Sequence, residues 1–199
     1  MNEQPITGHL VLIMAPSGSG KSLLIDHLRQ TVPGLYFGVS CTTRPPRPHE
    51  KEGETYYFVS NETFDEKITA GAFVEWAEFS GNRYGALVSE ILDPIKAGKV
   101  VVREVELQGI LGIKEIIPKE KRTVMYIEAG SWDILERRIL ARAPMSPEHL
   151  AARKLRWAEE SKWKAFADIV IENNEGRLEE AKKELQNVVE QIVLKTATT

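Results

Sequence analysis

The stretch Leu10-Val11-Leu12-Ile13-Met14 runs without a polar break into Ala15-Pro16-Ser17-Gly18-Ser19-Gly20-Lys21-Ser22, and that junction constrains the fold more than any other feature. A short, uninterrupted apolar run matches a strand covered on both faces. Beyond the glycines, Leu23, Leu24, Leu28 and Val32 recur at helical spacing, and Pro33-Gly34 supplies a stop. Strand, glycine loop and helix in that order form the setting in which a phosphate-binding loop is credible. Gly18 and Gly20 let the backbone turn its amide hydrogens inward, and the helix adds its positive end. Lys21 reaches the outer phosphates while Ser22 offers a hydroxyl to Mg²⁺. Ala15 stands where the pattern places its first glycine. Residues 15–22 are therefore the expected ATP-binding loop. Such a loop serves kinases, switch GTPases and mechanical ATPases alike, so the acceptor must be sought elsewhere.

Further apolar runs at Val100–Val102, Thr123–Ile127 and Asp168–Ile171 read as buried strands separated by helical stretches. That alternation implies an α/β fold with a parallel sheet flanked by helices. Glu179–Leu194 reads as a closing helix with Leu185, Val188, Val189 and Ile192 on one stripe, and Lys195–Thr199 as a frayed tail. Two stretches differ in character. Residues 40–94 carry prolines and aromatics, with short strands at Tyr56–Val59 and Phe73–Trp76, and read as a small mixed insert. Residues 129–160 carry arginines on a helical pattern broken near Pro144 and Pro147. The 199 residues are expected to form one domain, with a core of about 1–39, 95–128 and 161–199, an insert of about 40–94 and a lid of about 129–160.

A net charge of −3 provides no general positive field for a nucleic acid. The lone Cys41 excludes an intrachain disulfide and reads as a small buried hydrophobe. Met1–His9 has no basic-then-apolar leader pattern and no segment reaches membrane-spanning length, so a cytoplasmic protein with neither nucleic-acid nor membrane partners is expected.

The acceptor signal lies in Ser40-Cys41-Thr42-Thr43-Arg44-Pro45-Pro46-Arg47-Pro48-His49-Glu50. Two arginines three apart in a proline-stiffened, hydroxyl-rich loop suit the anchoring of one phosphate. At these residues the chain resembles the guanylate kinase family. The likeness continues through Gly53-Glu54-Thr55-Tyr56-Tyr57-Phe58, Phe73-Val74-Glu75-Trp76, Phe79-Ser80-Gly81-Asn82-Arg83-Tyr84-Gly85, Gln108-Gly109, and Arg137-Arg138 with Arg142.

The resemblance implies a P-loop kinase core and Mg²⁺-dependent transfer of the ATP γ-phosphate to GMP. It implies that Ser40, Arg44, Arg47, Tyr56 and Tyr84 hold the GMP phosphate, with Glu50, Gly85, Ala86, Glu104 and Glu106 in the same site. Glu75 would accept from the guanine N1 and N2 hydrogens, a pattern that adenine cannot match. Lys21, Arg44, Arg138, Arg142 and Arg153 would be the cations around the transferring group, and Arg137 and Arg156 ordinary surface charges. Asn173 is placed with the ATP site, and Ser22 and Glu104 with Mg²⁺. A monomer or homodimer is expected.

Two departures stand out. Ala86 replaces the family's serine or threonine after the Tyr-Gly pair, removing a hydroxyl from the guanine edge. Glu104-Val105-Glu106 replaces an Asp-x-Asp, one methylene longer at each carboxylate. Two rivals stay open: a kinase of the same build for another monophosphate or a sugar phosphate, and a non-catalytic module whose acceptor cleft binds protein segments.

Overall fold

The computed structural model describes residues 5–48, 50–79 and 81–198. His49 and Ser80 of the motifs above, Met1–Gln4 and Thr199 lie outside the described residues. In chain order the first elements are β1 (His9–Met14), α1 (Lys21–Thr31), β2 (Tyr36–Phe37), β3 (Ser40–Thr42), β4 (Tyr56–Phe58), α2 (Asn61–Thr69), β5 (Phe73–Phe79) and β6 (Asn82–Leu87). They are followed by α3 (Val88–Lys96), β7 (Val100–Glu104), α4 (Leu107–Ile116), β8 (Arg122–Glu128), α5 (Trp132–Arg142), α6 (Pro147–Glu160), β9 (Ile169–Glu172) and α7 (Leu178–Ala197). The fold class is α/β, with parallel strands flanked by helices.

The chain divides into two compact units. One comprises the chain up to Leu10, Leu35–Arg122 and the residues from Thr196; the other comprises Val11–Gly34 and Thr123–Lys195.

The second unit holds the glycine loop. Here β1, β8 and β9 lie side by side, with β8 and β9 parallel in the register Met125↔Ile169 to Glu128↔Glu172. Leu10 to Met14 are each 0% exposed, as a strand covered on both faces requires. Asp168 clips β9 to β8: its carboxylate accepts from the Val124 N–H at 2.8 Å and its own N–H donates to Val124 O at 2.7 Å. The strand therefore begins at Ile169, one residue later than the sequence pattern suggests.

Two details of the helices differ from expectation. Leu23 is 56% exposed and Ile25 is buried in its place, so the inward stripe of α1 is Leu24, Ile25 and Leu28. In α7, Ala181, Leu185 and Val189 are buried, and the helix continues to Ala197 rather than fraying from Lys195. Lys195 in its last turn complements the negative end of the helix dipole. The break near Pro144 and Pro147 separates α5 from α6. Ser146 caps α6 by accepting from the His149 N–H, and Pro147 occupies the first turn, where its missing N–H costs nothing. Trp132 and Trp157 pack 5.9 Å apart at the centre of the α5–α6 cluster.

In the first unit β2 pairs in parallel with β7. A four-stranded mixed sheet has the order β4-β3-β6-β5, with β3 and β4 parallel and the other pairs antiparallel. The Tyr56–Val59 and Phe73–Trp76 segments are strands, as expected, although Val59 lies just past the end of β4. Cys41, Phe64 and Leu87 form the core beneath this sheet, with Phe64 and Phe73 stacked at 4.5 Å. Cys41 is the small buried hydrophobe its setting required.

Candidate functional site

Each unit carries one group of the expected residues. In the second unit the loop from Ala15 to Gly20 leaves β1 and enters α1. Gly18 and Gly20 have φ of +86° and +85°, a left-handed conformation that a side chain strains. Gly20 is the N-cap of α1 and no side chain caps the helix, so the first amides of α1 lie at an end suited to an anion. Lys21 opens the helix, half-buried, and Ser22 follows it, exposed.

Asn173 is 2% exposed just beyond β9 and donates its side-chain amide to Ser19 O at 2.7 Å. A methyl group at Gly20 would stand 2.6 Å from that same amide nitrogen. Asn173 thus braces the loop from beneath. Arg138 on α5 donates to the Asn173 carbonyl at 3.0 Å, and Arg153 on α6 to the Ser17 hydroxyl at 2.6 Å. The buried Glu160 carboxylate accepts from the Ser17 N–H at 3.3 Å and pairs with Arg156. Of the arginines in α5 and α6 expected around the transferring group, the structure therefore brings Arg138 and Arg153 to the loop and its brace. Arg142 ends α5, exposed. Arg137 forms an exposed pair with Glu175.

In the first unit the mixed sheet gathers the other expected residues. Nη2 of Arg44 donates to both oxygens of Glu50, at 2.8 and 2.9 Å, and the Arg47 N–H donates to Glu50 Oε2 at 2.8 Å. One carboxylate thereby shapes the loop that carries both arginines. The hydrogen bond from Arg44 is the largest influence holding the Glu50 carboxyl below the usual carboxylate range. The Arg44 guanidinium lies 5.6 Å from the Tyr56 ring centre, and the Tyr56 and Tyr84 rings are 6.0 Å apart. Arg44, Tyr56 and Tyr84 thus come together; Arg47 is exposed on the same loop.

Antiparallel pairing sets Ser40 opposite Ala86 on β6, and Ala86 opposite Glu75 on β5. A bulge between Phe73 and Glu75 shifts the β5 register so that Glu75 reaches this rung. Burial pushes the Glu75 carboxyl up, nearby Arg103 pulls it down, and Glu106 pushes it up again. The α4 helix approaches closely because it carries glycine: a methyl at Gly109 would sit 3.2 Å from Glu75 Oε1. Gly85 has a packing reason of its own, since a methyl there would meet the Phe73 ring at 2.5 Å. Ala86 is fully buried, Glu104 ends β7 exposed, and Glu106 is the N-cap residue of α4.

Three residues that sequence reasoning missed support these groups, two in the first unit and one, Glu160 beside Ser17, in the second. Arg103, 6% exposed at the end of the valine run, donates to the Ser40 hydroxyl at 3.0 Å and stands 3.9 Å from Glu75 Oε1. Its signal was a cation inside an otherwise apolar strand. Glu90 on α3 accepts from Tyr36 Oη at 3.0 Å, the Val39 N–H at 3.0 Å and Tyr57 Oη at 2.9 Å, tying β2, β4 and the approach to β3 to one helix. Burial, followed by the bond to Glu90, pushes the Tyr36 hydroxyl up to about 12. Glu160 is the third.

Known proteins resemble this chain over most of its length. Residues 7–192 match the family model described as guanylate kinase. A guanylate kinase from Nostoc sp. is 43% identical over 173 residues, covering 87% of this chain and 86% of that protein. One from Streptomyces coelicolor is 41% identical over 155 residues, covering 76% and 78%. The crystal structure of guanylate kinase from Anaplasma phagocytophilum superposes with a TM-score of 0.70 at 27% identity, covering 92% of this chain and 85% of that one. With the family model matched over residues 7–192 and relatives of this similarity, the chain belongs to the guanylate kinase family.

Proposed function

We propose that this protein transfers the γ-phosphoryl group of ATP to GMP, giving ADP and GDP. The observation that carries the reading is the mixed sheet of the first unit, which carries a Glu50-ordered Arg44 on the loop after β3 and the carboxylate of Glu75 on β5. A cation for a phosphate and an acceptor for adjacent N–H groups suit a guanine monophosphate.

Transfer of this kind is mostly positioning and neutralisation of spread negative charge. The amides of residues 18–22 and Lys21 hold the donor tail. Arg44 and Arg47, with Ser40, Tyr56 and Tyr84, hold the acceptor phosphate, whose oxygen is already anionic at neutral pH, so no general base is assigned. Glu75 selects guanine because adenine's N1 would leave this half-buried carboxylate facing an acceptor. Arg138, Arg142 and Arg153 supply further positive charge. In this reading the segments of about 40–94 and 129–160 are the moving insert and lid, and their closure excludes water that would otherwise accept the phosphoryl group. Glu104, Glu106, Gly85 and Ala86 border the guanine, and Asn173 keeps the donor loop in shape.

Mg²⁺ fits the donor set as an ion held chiefly by nucleotide oxygens. Among the described residues no group of three or more His, Cys, Asp or Glu is placed to hold a metal, and this ion ordinarily takes one or two protein oxygens beside phosphate and water. Ser22 and Glu104 are the residues that would each offer such an oxygen. The chemistry such an ion would supply there is neutralisation of the charge on the outer phosphates.

Among the described residues no helix is long and apolar enough to cross a membrane. A cytoplasmic monomer or homodimer serving purine nucleotide metabolism completes the proposal. The test is a coupled ADP-release assay across GMP, dGMP, IMP, AMP and UMP with and without Mg²⁺. Strong GMP-dependent turnover, lost in Lys21→Ala, is expected; ADP release indifferent to GMP would overturn the assignment, and turnover on a different monophosphate would move the protein to another acceptor class.

A further inference from the structure

The rung Ser40–Ala86–Glu75 is unusual in what stands beside it. Directly opposed residues on neighbouring strands present their side chains to the same face, so Ser40, Ala86 and Glu75 share one. Arg103 reaches both ends of that rung, with Nη2 3.0 Å from Ser40 Oγ and 3.9 Å from Glu75 Oε1. Ala86, the middle residue of that rung, is 0% exposed, so the room around its methyl is already filled. A longer side chain at position 86 would compete for that space.

Nη1 of the same guanidinium is buried and has no hydrogen-bond partner among the described residues. A buried cation whose donors are only partly satisfied is costly, and a native one calls for an explanation. The charged and titratable groups acting on it are Glu75 from β5, Glu90 from α3 and Tyr56 from β4. Glu90 already accepts from Tyr36, Val39 and Tyr57. The idle donor thus belongs to a guanidinium beside the carboxylate that faces guanine N1 and N2.

Guanine's N1–H is flanked by the 6-oxo group, an acceptor, on the side away from N2. A ligand pairing N1 and N2 with Glu75 brings that oxygen next to whatever neighbours the carboxylate. We propose that Arg103 is a specificity-determining residue that donates from its unpartnered Nη1 to the 6-oxo oxygen of the acceptor base, in place of a hydroxyl at position 86. This rests on the guanine reading of Glu75 given above. Arg103 and Ala86 then form one device: the small side chain makes room, and the guanidinium from the neighbouring strand fills it with a charged donor. The same guanidinium holds Ser40 and Glu75 at a fixed separation before substrate arrives.

The test compares kcat/KM for GMP and for 6-thio-GMP, which keeps N1–H and the 2-amino group but presents sulfur, a weaker acceptor. Wild-type protein is expected to prefer GMP. In Arg103→Met that preference should fall by about tenfold or more, the size of a lost charge-assisted hydrogen bond, while the KM for ATP stays within about twofold. Arg103→Lys should keep part of the preference, and Ala86→Ser combined with Arg103→Met should recover part of it. A merely structural role predicts that both acceptors lose activity by the same factor and the ratio is kept, which would overturn the proposal. If Arg103→Met fails to fold, the ratio in Arg103→Lys decides in the same way. Wild-type protein inactive on both nucleotides would instead sink the underlying guanine reading.

Discussion

Glu50 shows how one side chain can order the two arginines of the proposed phosphate site. It accepts from Arg44 Nη2 through both oxygens and from the Arg47 N–H, so it orders the loop and restrains Arg44 at the cost of offsetting one positive charge. Glu50→Gln should raise the KM for GMP by about an order of magnitude or more and leave that for ATP unchanged, measured by steady-state kinetics; equal effects on both nucleotides would refute a local role. The pH dependence has a defined sign. Because Arg44 holds the folded carboxyl below its ordinary value of about 4.3, its stabilising contribution is complete above that value and is lost as pH falls through the lower folded one. The difference in melting temperature between wild type and Glu50→Gln should therefore be constant above about pH 5.5 and shrink in acid. A difference independent of pH down to 3 would show that charge is not its source.

At the scale of elements, the glycine loop depends on a brace from a distant segment. Asn173→Ala leaves Ser19 O without its 2.7 Å donor, and should lower stability by about 1–3 kcal/mol in urea titration while raising the KM for ATP several-fold. Gly20→Ala should abolish ATP turnover, from both its φ of +85° and a methyl 2.6 Å from the Asn173 amide. Adding Asn173→Ala to Gly20→Ala removes the collision but not the backbone strain. Partial recovery in the double variant apportions the two causes, and no recovery assigns the defect to the backbone alone.

The same elements show what the sequence makes legible. Leu10–Met14 and the loop glycines are legible because a buried strand and a left-handed turn each demand a narrow set of residues. The break at Pro144 and Pro147 was visible for the same reason. Asn173 as a brace was not, because the amide's partner is 154 positions away along the chain and short-range periodicity carries no record of it. Arg103 was hidden differently: the partners that make it tolerable in the interior come from β3 and β5, which reach it only through tertiary pairing. The inward face of α1 was misjudged at Leu23 and Ile25, where two adjacent apolar residues leave the rotation of the helix to packing.

At the scale of the whole molecule, neither unit is a continuous piece of chain. The backbone passes between them at Leu10–Val11, Gly34–Leu35, Arg122–Thr123 and Lys195–Thr196. Each unit's fold is therefore stitched through the other's, and β1 itself spans one of these passages. Such connectivity favours one cooperative transition over two independent ones, because unfolding either unit releases the chain ends that restrain its neighbour. Tryptophan gives a probe for each: Trp76 lies on β5 of the first unit, and Trp132 on α5 of the second. Two variants, each retaining only one of these with the other three tryptophans changed to phenylalanine, should give superimposable urea transitions. GMP at about 100 times its dissociation constant should then stabilise both by the same ~2.7 kcal/mol, although its proposed contacts are confined to the first unit. A shift seen by Trp76 alone would establish that the units unfold independently, and that binding energy from one nucleotide does not reach the other's loop through the fold.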